Sequence, residues 1–469
     1  MEEKEKKDAV KELKKKLFLQ RENGYKRIDA DEEKAVFDFA EEYKNFIDTA
    51  KTEREAASEA VRLLEANGFV EYKKGMKLSA GDKIYRNNRG KAVLMAIIGA
   101  ESIEEGVKLC AAHIDSPRLD LKQNPLYEDT ELALFKTHYY GGIKKYQWTT
   151  IPLSLHGVVV KADGETVSVN IGEDESDPVF CVTDLLPHLA TEQMSRNAAK
   201  VIKGEDLNLL IGSIPFRDDE SSESVKLNIM NILFEKYGIT EGDFISAELE
   251  AVPAFKARDI GFDRSMIGGY GHDDRCCAFP ALKAALMCKN PIHTSVTVLT
   301  DKEETGSDGN TGLCSAYLKY FIADIAESFG SNGRDVLSAS ECLSADVNAA
   351  FDPTFPEVNE RANCAYVNKG VCITKYTGSR GKSGTSDASA EFAGRIRRLM
   401  NANNVIWQTG ELGKVDAGGG GTVAAYIANL NVDTIDMGVP VLSMHAPYEV
   451  ISKLDLYMAY KAFAAFIAD

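Results

Sequence analysis

No two cysteines in this chain stand as CxxC, and no apolar run approaches the roughly 18 residues that a membrane-spanning helix requires. The first absence removes the commonest zinc-knuckle and redox frameworks. The nine cysteines, an odd number, fit reduced and packed thiols better than a disulfide scaffold. Positive charge is in deficit. Lys and Arg total 55 against 72 Asp and Glu, and the formal net charge of -17 argues against nucleic acid or an anionic membrane as the main partner. Fixed-period repeats and low-complexity tracts are also missing, which excludes solenoids and linker-like regions. The opening Met1-Glu-Glu-Lys-Glu-Lys-Lys mixes both charge signs and contains no apolar segment. Neither a secretory signal nor an organelle presequence is expected there, so the expected location is cytoplasmic. Histidine is scarce too, with seven in 469 residues.

What is present is an ordinary globular composition, 44% hydrophobic and 27% charged, in a chain long enough for two domains. Residues 1–70 read as helix. One helix opens at Ala30-Asp-Glu-Glu with Val36, Phe37, Phe39 and Tyr43 at helical spacing, and a second runs from about Thr52 to Asn67-Gly68. The lysines at 11, 14, 15 and 16 suggest a solvated face. The runs Lys91–Gly99 and Lys108–His113 have the unbroken apolar character of strands buried on both faces. Between about Leu119 and Val252 short alternating segments predict antiparallel β structure, with one helix near Glu223–Tyr237. After Asp273 helices (275–288, 313–329, 386–402, 421–429, 452–468) alternate with strands (294–300, 341–347, 405–409, 432–441). That order predicts an α/β fold with a mostly parallel sheet and flanking helices. The expected partition is a catalytic domain of residues 1–118 and 257–469, interrupted by an inserted β-rich domain of residues 119–256.

The chain is organised around Thr297–Gly309, where a run of β-formers (Thr294 to Thr300) delivers Glu303 and Glu304 to a Gly/Ser/Asp turn. In extended backbone the two side chains would point opposite ways, so one could bind a metal while the other acts as a general base. Alone, such a pair reads more simply as a solvated acidic turn. Four other segments change that reading, namely His113-Ile-Asp115, His272-Asp273-Asp274, Ala345-Asp346-Val347 and Met444-His445-Ala446. Each falls at or just past an expected strand end or helix start, and the carboxyl ends of parallel strands converge on one crevice. Two imidazoles with three carboxylates suit zinc, or manganese or cobalt in its place. In a two-metal site a carboxylate must bridge ions roughly 3.5–4 Å apart. Asp273 is the assignment, with Asp274 its rival. His113 could instead be a core histidine, His445 a strand-end cap and Asp346 the start of a turn. Asp115 would orient the His113 ring. Gly418–Gly421, ahead of an expected helix, offers backbone donors but lacks the lysine of a phosphate loop.

His113-Ile-Asp115-Ser-Pro, Asp273-Asp-Arg, Glu303-Glu304-Thr-Gly-Ser, Ser344-Ala-Asp346 and Met437–His445 together resemble the aspartyl aminopeptidase and vacuolar aminopeptidase family of dinuclear zinc exopeptidases. The resemblance runs over nearly the full length. It implies two zinc ions per subunit, with His113 and Asp346 on one, Glu304 and His445 on the other, and Asp273 between them. Glu303 becomes the general base of a hydrolase that removes the first residue of peptides. It also implies that the inserted domain makes dimers, that dimers build a tetrahedral dodecamer, and that a histidine of the insertion, here His188 in Leu186-Pro-His-Leu-Ala, reaches a neighbouring subunit's site. The family's preference for acidic first residues is a further implication, although Thr374 stands where family members carry a basic residue. Ser379–Asp387 is also richer in glycine and basic residues than the family pattern. An amidohydrolase or carboxypeptidase acting on acylated amino acids is the alternative use of such a centre.

Overall fold

The strand Val107–His113 is buried at all seven positions and lies fifth in a nine-stranded sheet. Its alternate residues serve two cores: Cys110 and Ala112 face one apolar cluster, Val107, Leu109 and Ala111 the other. A computed structural model of the chain describes residues 2–19, 21–217 and 222–469. Met1, Gln20 and four residues of the expected insertion, 218–221, lie outside the described residues. In spatial order the nine strands are Val70–Glu71, Lys83–Asn88, Ala92–Ile97, Thr294–Thr300, Val107–His113, Glu341–Ser344, Asp433–Gly438, Val371–Thr374 and Trp407–Thr409. The fourth to seventh run parallel to one another, so their carboxyl ends open on one side. Ala92–Ile97, although buried throughout, pairs antiparallel with both neighbours. The sheet is therefore mixed, and the fold is α/β with helices on both sheet faces.

Helices Ala30–Thr49, Glu53–Ala66, His272–Met287, Ala390–Ala402 and Lys453–Ala468 supply one core, while Tyr317–Ser328 and Gly333–Ser338 supply the other. The first two start where local chemistry dictates. The Asp29 carboxylate accepts the Glu32 N–H at 2.9 Å, and Thr52 with Glu55 forms a reciprocal capping box. The preceding helix, Glu2–Leu17, is exposed from Lys7 onward, as its lysines suggest. No helix of the described residues is long and apolar enough to cross a membrane.

Between Arg118 and Pro253 the chain builds a separate, wholly antiparallel sheet of seven strands with its own apolar cluster. The helix Ser224–Tyr237 packs Ile229, Met230 and Leu233 against it.

Three expectations need correction. The strand expected over 432–441 is two, Asp433–Gly438 in the nine-stranded sheet and Pro440–Leu442 in a five-stranded one. The break falls where the chain passes the Asp346 carbonyl so closely that a Cβ on Gly438 would lie 1.8 Å from it. The helix expected over 421–429 shrinks to Ala424–Ala428. The glycines before it do not open a helix, since Gly419–Gly420 pairs antiparallel with Gly378–Ser379. A Cβ on Gly419 would lie 2.2 Å from the Gly378 carbonyl, so the pairing demands glycine there.

Candidate metal centre

His113 closes the central strand, and Thr300 stands opposite it in the parallel pair. On the other side Ser344 pairs with Ala111, which carries Asp346 to the same edge. Beyond Thr300 the backbone turns at Lys302 (φ 67°) into a 3₁₀ turn, Glu303–Thr305. Glu303 and Glu304 thus diverge through a tight turn and not through the alternation of an extended strand, which corrects the sequence reading. A Glu303 oxygen lies 3.8 Å from His113 Nε2, and a Glu304 oxygen 3.5 Å from His445 Nε2.

Asp273 and His445 come from the five-stranded sheet, where Met266–Gly269 pairs with Glu449–Ser452 and the latter with Pro440–Leu442. Asp273 follows the first of these strands at the start of the helix, and His445 sits in the turn between the other two. The Asp273 carboxylate faces both imidazoles at once, with Oδ1 3.2 Å from His113 Nε2 and Oδ2 3.1 Å from His445 Nε2. Two sets of three donor atoms result, each set within 4.8 Å: His113, Asp273 and Asp346, then Asp273, Glu304 and His445. Asp273 belongs to both. Asp274 turns away, its carboxylate accepting the His113 backbone N–H at 3.2 Å and lying beside Cys276 and Cys277. His272 is a core residue, 2.7 Å from the Tyr43 hydroxyl through Nδ1, with burial pulling its pKa down to about 3.

The residues around the donors suit a cation. Gly142 presents its carbonyl, which can only accept, 2.8 Å from His445 Nδ1; that nitrogen must donate, so Nε2 is the atom that faces Asp273 and the one a cation would take in place of its proton. His113 Nδ1 lies 3.1 Å from the Asp115 carbonyl and 3.2 Å from its carboxylate, with the same consequence. Asp115 also accepts the N–H groups of Glu303 and Glu304, at 3.2 and 3.3 Å, and the Tyr140 hydroxyl at 2.7 Å. Burial works against its ionised form, but His113, Tyr140 and Arg118 outweigh burial and hold its pKa below the ordinary carboxylate value.

Burial opposes the ionised form of Asp273 as well, but the two imidazoles outweigh it and hold its pKa far below the ordinary value; for Glu303, Glu304 and Asp346 burial and like charge prevail. Burial, then the neighbouring Asp273 charge, drives the Glu304 pKa far up; burial, then Glu303 and Asp274, does the same to Asp346. Burial also lifts Glu303 to about 7, with Asp273 and Asp115 adding to it. Glu304 Oε1 is buried without a hydrogen-bond partner. Acidic oxygens crowded and dry around two imidazoles are costly as they stand, and divalent cations remove that cost. The donor set fits zinc.

Glu449 is a member of the site that sequence reasoning missed. It is 1% exposed, and its two oxygens accept the backbone N–H groups of Asp273 at 3.1 Å and His445 at 2.7 Å. No spacing rule marks it, because the strand pairing alone brings it there.

The cavity above the donors, about 370 Å³, is lined by Asp273, Glu303, Asp346 and His445, by Gly418–Gly421, and by the cations Arg380, Lys382 and Lys414. Thr374 is buried at its wall, accepting from Asn348 Nδ2 at 2.9 Å. His188 is not in this cavity. It is exposed on the turn Pro187–Leu189, between Leu186 (50% exposed) and Leu189 (70% exposed).

A profile of the family described as aminopeptidase I zinc metalloprotease (M18) matches residues 46–467. A probable M18 family aminopeptidase 1 of Clostridium acetobutylicum is 53% identical over 459 residues, 96% of this chain and 99% of that protein. The crystal structure of an M18 aminopeptidase from Thermotoga maritima superposes with a TM-score of 0.92 at 44% identity, covering 96% of this chain and 99% of that one. The structure of the S. cerevisiae mApe1 dodecamer shares the fold, with a TM-score of 0.74 at 21% identity over 92% of this chain and 96% of that one.

Proposed function

The chain belongs to the M18 family of aminopeptidase I zinc metalloproteases, and on that premise we propose that it holds two zinc ions on five side chains. It is a metal-dependent aminopeptidase, a hydrolase that releases the N-terminal residue of peptides. In the proposed centre His113 and Asp346 hold one ion, Glu304 and His445 the other, and Asp273 bridges them. The observation that carries this reading is the Asp273 carboxylate, whose two oxygens belong to two different donor triads. Nitrogen and carboxylate donors of this kind also accept Mn²⁺ or Co²⁺.

Bound zinc supplies Lewis acidity, polarising the scissile carbonyl and lowering the pKa of water towards about 7. The chain's residues do the rest. Glu303 takes the proton of the attacking water and hands it to the leaving amine. Its fit to that role lies in a buried carboxyl pushed to about 7 beside the donors. Asp115 fixes the His113 ring and, through two backbone N–H groups, the turn carrying Glu303 and Glu304. The Arg380, Lys382 and Lys414 side chains at the cavity wall support a preference for acidic first residues, with Thr374 in place of a basic group as the counterweight.

Residues 119–256 act in this reading as a dimerisation domain inserted into a zinc-exopeptidase-like catalytic domain of residues 1–118 and 257–469. Its surface exposes Leu185, Leu186, Leu189, Met194, Ile214 and Phe234 at 50% or more, apolar side chains that a second copy would cover. Dimers assembling into a tetrahedral dodecamer would let His188 reach a neighbouring subunit's cavity and stabilise the oxyanion there. Cytoplasmic residence follows from nine free cysteines, most of them buried.

A panel of aminoacyl-anilides, assayed with and without chelator, tests the function. Free-amine substrates should turn over, chelator should abolish turnover, and zinc should restore it. Hydrolysis of N-acetylated peptides in preference to free amines would instead assign the centre to a deacylase.

A further inference from the structure

One short stretch beside the seven-stranded sheet touches one donor triad directly and reaches the other through Asp115. The strand Leu132–Tyr140 ends at Tyr140, and Gly141 and Gly142 follow it. The Tyr140 hydroxyl donates to Asp115 Oδ2 at 2.7 Å, while Asp115 Oδ1 lies 3.2 Å from His113 Nδ1. Two residues on, the Gly142 carbonyl accepts from His445 Nδ1 at 2.8 Å. Gly141 between them has φ +76°, and a Cβ there would lie 3.2 Å from Glu304 Oε2. The stretch is anchored on its far side. Arg118, paired with Tyr140 across the strands, stacks its guanidinium 3.9 Å from the Tyr140 ring centre. Arg118 is in turn held by Asp120 at 2.9 Å and by the buried Glu250 at 3.2 Å.

We propose that Tyr140-Gly141-Gly142 is the positioning element of the metal pair, setting one imidazole of each triad from the second sheet. The inference rests on the two-zinc reading above. Its physical content is orientational. An imidazole ligates along one lone pair, and the partner of its other nitrogen decides where that lone pair points. Here the partner of His445 is Gly142 itself and the partner of His113 is Asp115, whose carboxylate Tyr140 holds, so three consecutive residues of a sheet that contributes no ligand bear on both rings. Zinc retention therefore depends on how the seven-stranded sheet is seated against the nine-stranded one.

The test is Tyr140→Phe in the full chain, with zinc affinity measured by competition against a chromophoric chelator. Wild type and Tyr139→Phe, which removes a phenol from an outward position on the same strand, run alongside. Wild type should hold two equivalents, and Tyr139→Phe should match it. Tyr140→Phe should lose roughly 10- to 100-fold in affinity for one equivalent, the usual size of an outer-partner loss. Its kcat should fall at limiting zinc and recover in excess zinc, with KM unchanged, a rescue that a merely misfolded variant would not show. Wild-type affinity for both equivalents in Tyr140→Phe would overturn the proposal. Should that variant fail to fold, Gly141→Ala presses the same stretch against Glu304 and should weaken the other equivalent; retention of both would equally overturn it. A wild type binding fewer than two equivalents would sink the two-zinc reading instead, and the ratio of variant to wild-type affinity would still judge the positioning role.

Discussion

Glu449 holds Asp273 by its backbone, accepting that residue's N–H at 3.1 Å with one carboxylate oxygen while the other takes the His445 N–H at 2.7 Å. The shared carboxylate and one imidazole of the proposed centre thus hang from one buried side chain. Glu449→Gln replaces one accepting oxygen by an NH₂ group that must oppose a backbone N–H. Zinc should dissociate about 10-fold or more faster under chelator, followed by loss of activity with time. Unchanged half-lives would remove Glu449 from the site.

Glu303→Gln tests the base without touching a donor of either triad. The amide keeps the shape and abolishes proton acceptance, so kcat should fall by about 10²- to 10⁴-fold. Zinc content by elemental analysis should stay at the wild-type value. Wild-type turnover in this variant would assign the proton transfer to another group.

Asp273→Asn should empty both triads, because each includes that carboxylate. Asp274→Asn should retain zinc, since Asp274 faces the His113 backbone and two thiols. The reverse pattern of metal content would move the bridge to Asp274.

If the cavity cations receive an acidic first residue, removing them should matter only for acidic substrates. Arg380→Ala and Lys382→Ala should raise KM for aspartyl- and glutamyl-anilides about two- to five-fold, the worth of an exposed charge contact. KM for leucyl-anilide should stay constant. Equal effects on both substrate classes would refute the preference.

Away from the centre, Asp259 accepts from Lys44 and pairs with the fully buried Lys453 ammonium, both at 2.8 Å. Burial raises its pKa, but the two ammonium groups outweigh burial and bring it down to about 2 from 3.8. A depressed carboxylate pKa stabilises the fold above the ordinary value and loses that contribution as pH falls through the folded one. Stability should therefore drop between pH 3.8 and about 2 partly on this account. Asp259→Asn should flatten that part of the acid limb. At neutral pH it should cost about 3–5 kcal/mol, because Lys453 is left buried and unpaired. Denaturant melts of both proteins across the range check the sign and the size.

Much of the molecule was legible from local chemistry. Asp29 and Thr52 cap the helices that their spacing predicts, and the period-2 pattern from Leu153 to Ile171 gives a pair of antiparallel strands. The apolar run ending in His113 made a buried strand whose last residue faces a crevice. Polar residues that follow a β-rich run stand out in sequence, which is why His113, Asp115, Glu303, Glu304 and Asp346 could be named at once. The divergence of Glu303 and Glu304 was misread, because a 3₁₀ turn and an extended end contain the same residue types.

Amino-acid order alone settled most of the elements, the helix caps and the kinds of side chain available for chemistry, because capping, periodicity and turn formation act within a few residues. Tertiary structure alone decided that one small sheet brings Asp273, His445 and Glu449 together, that Asp274 turns away into the core, and that Gly142 reaches one imidazole and Tyr140 the partner of the other. Those outcomes depend on backbone pairing between strands of three or four residues, as much as 186 positions apart where Met266 pairs with Ser452. Pairing at that distance leaves no periodic mark on either strand, so only the folded chain displays it.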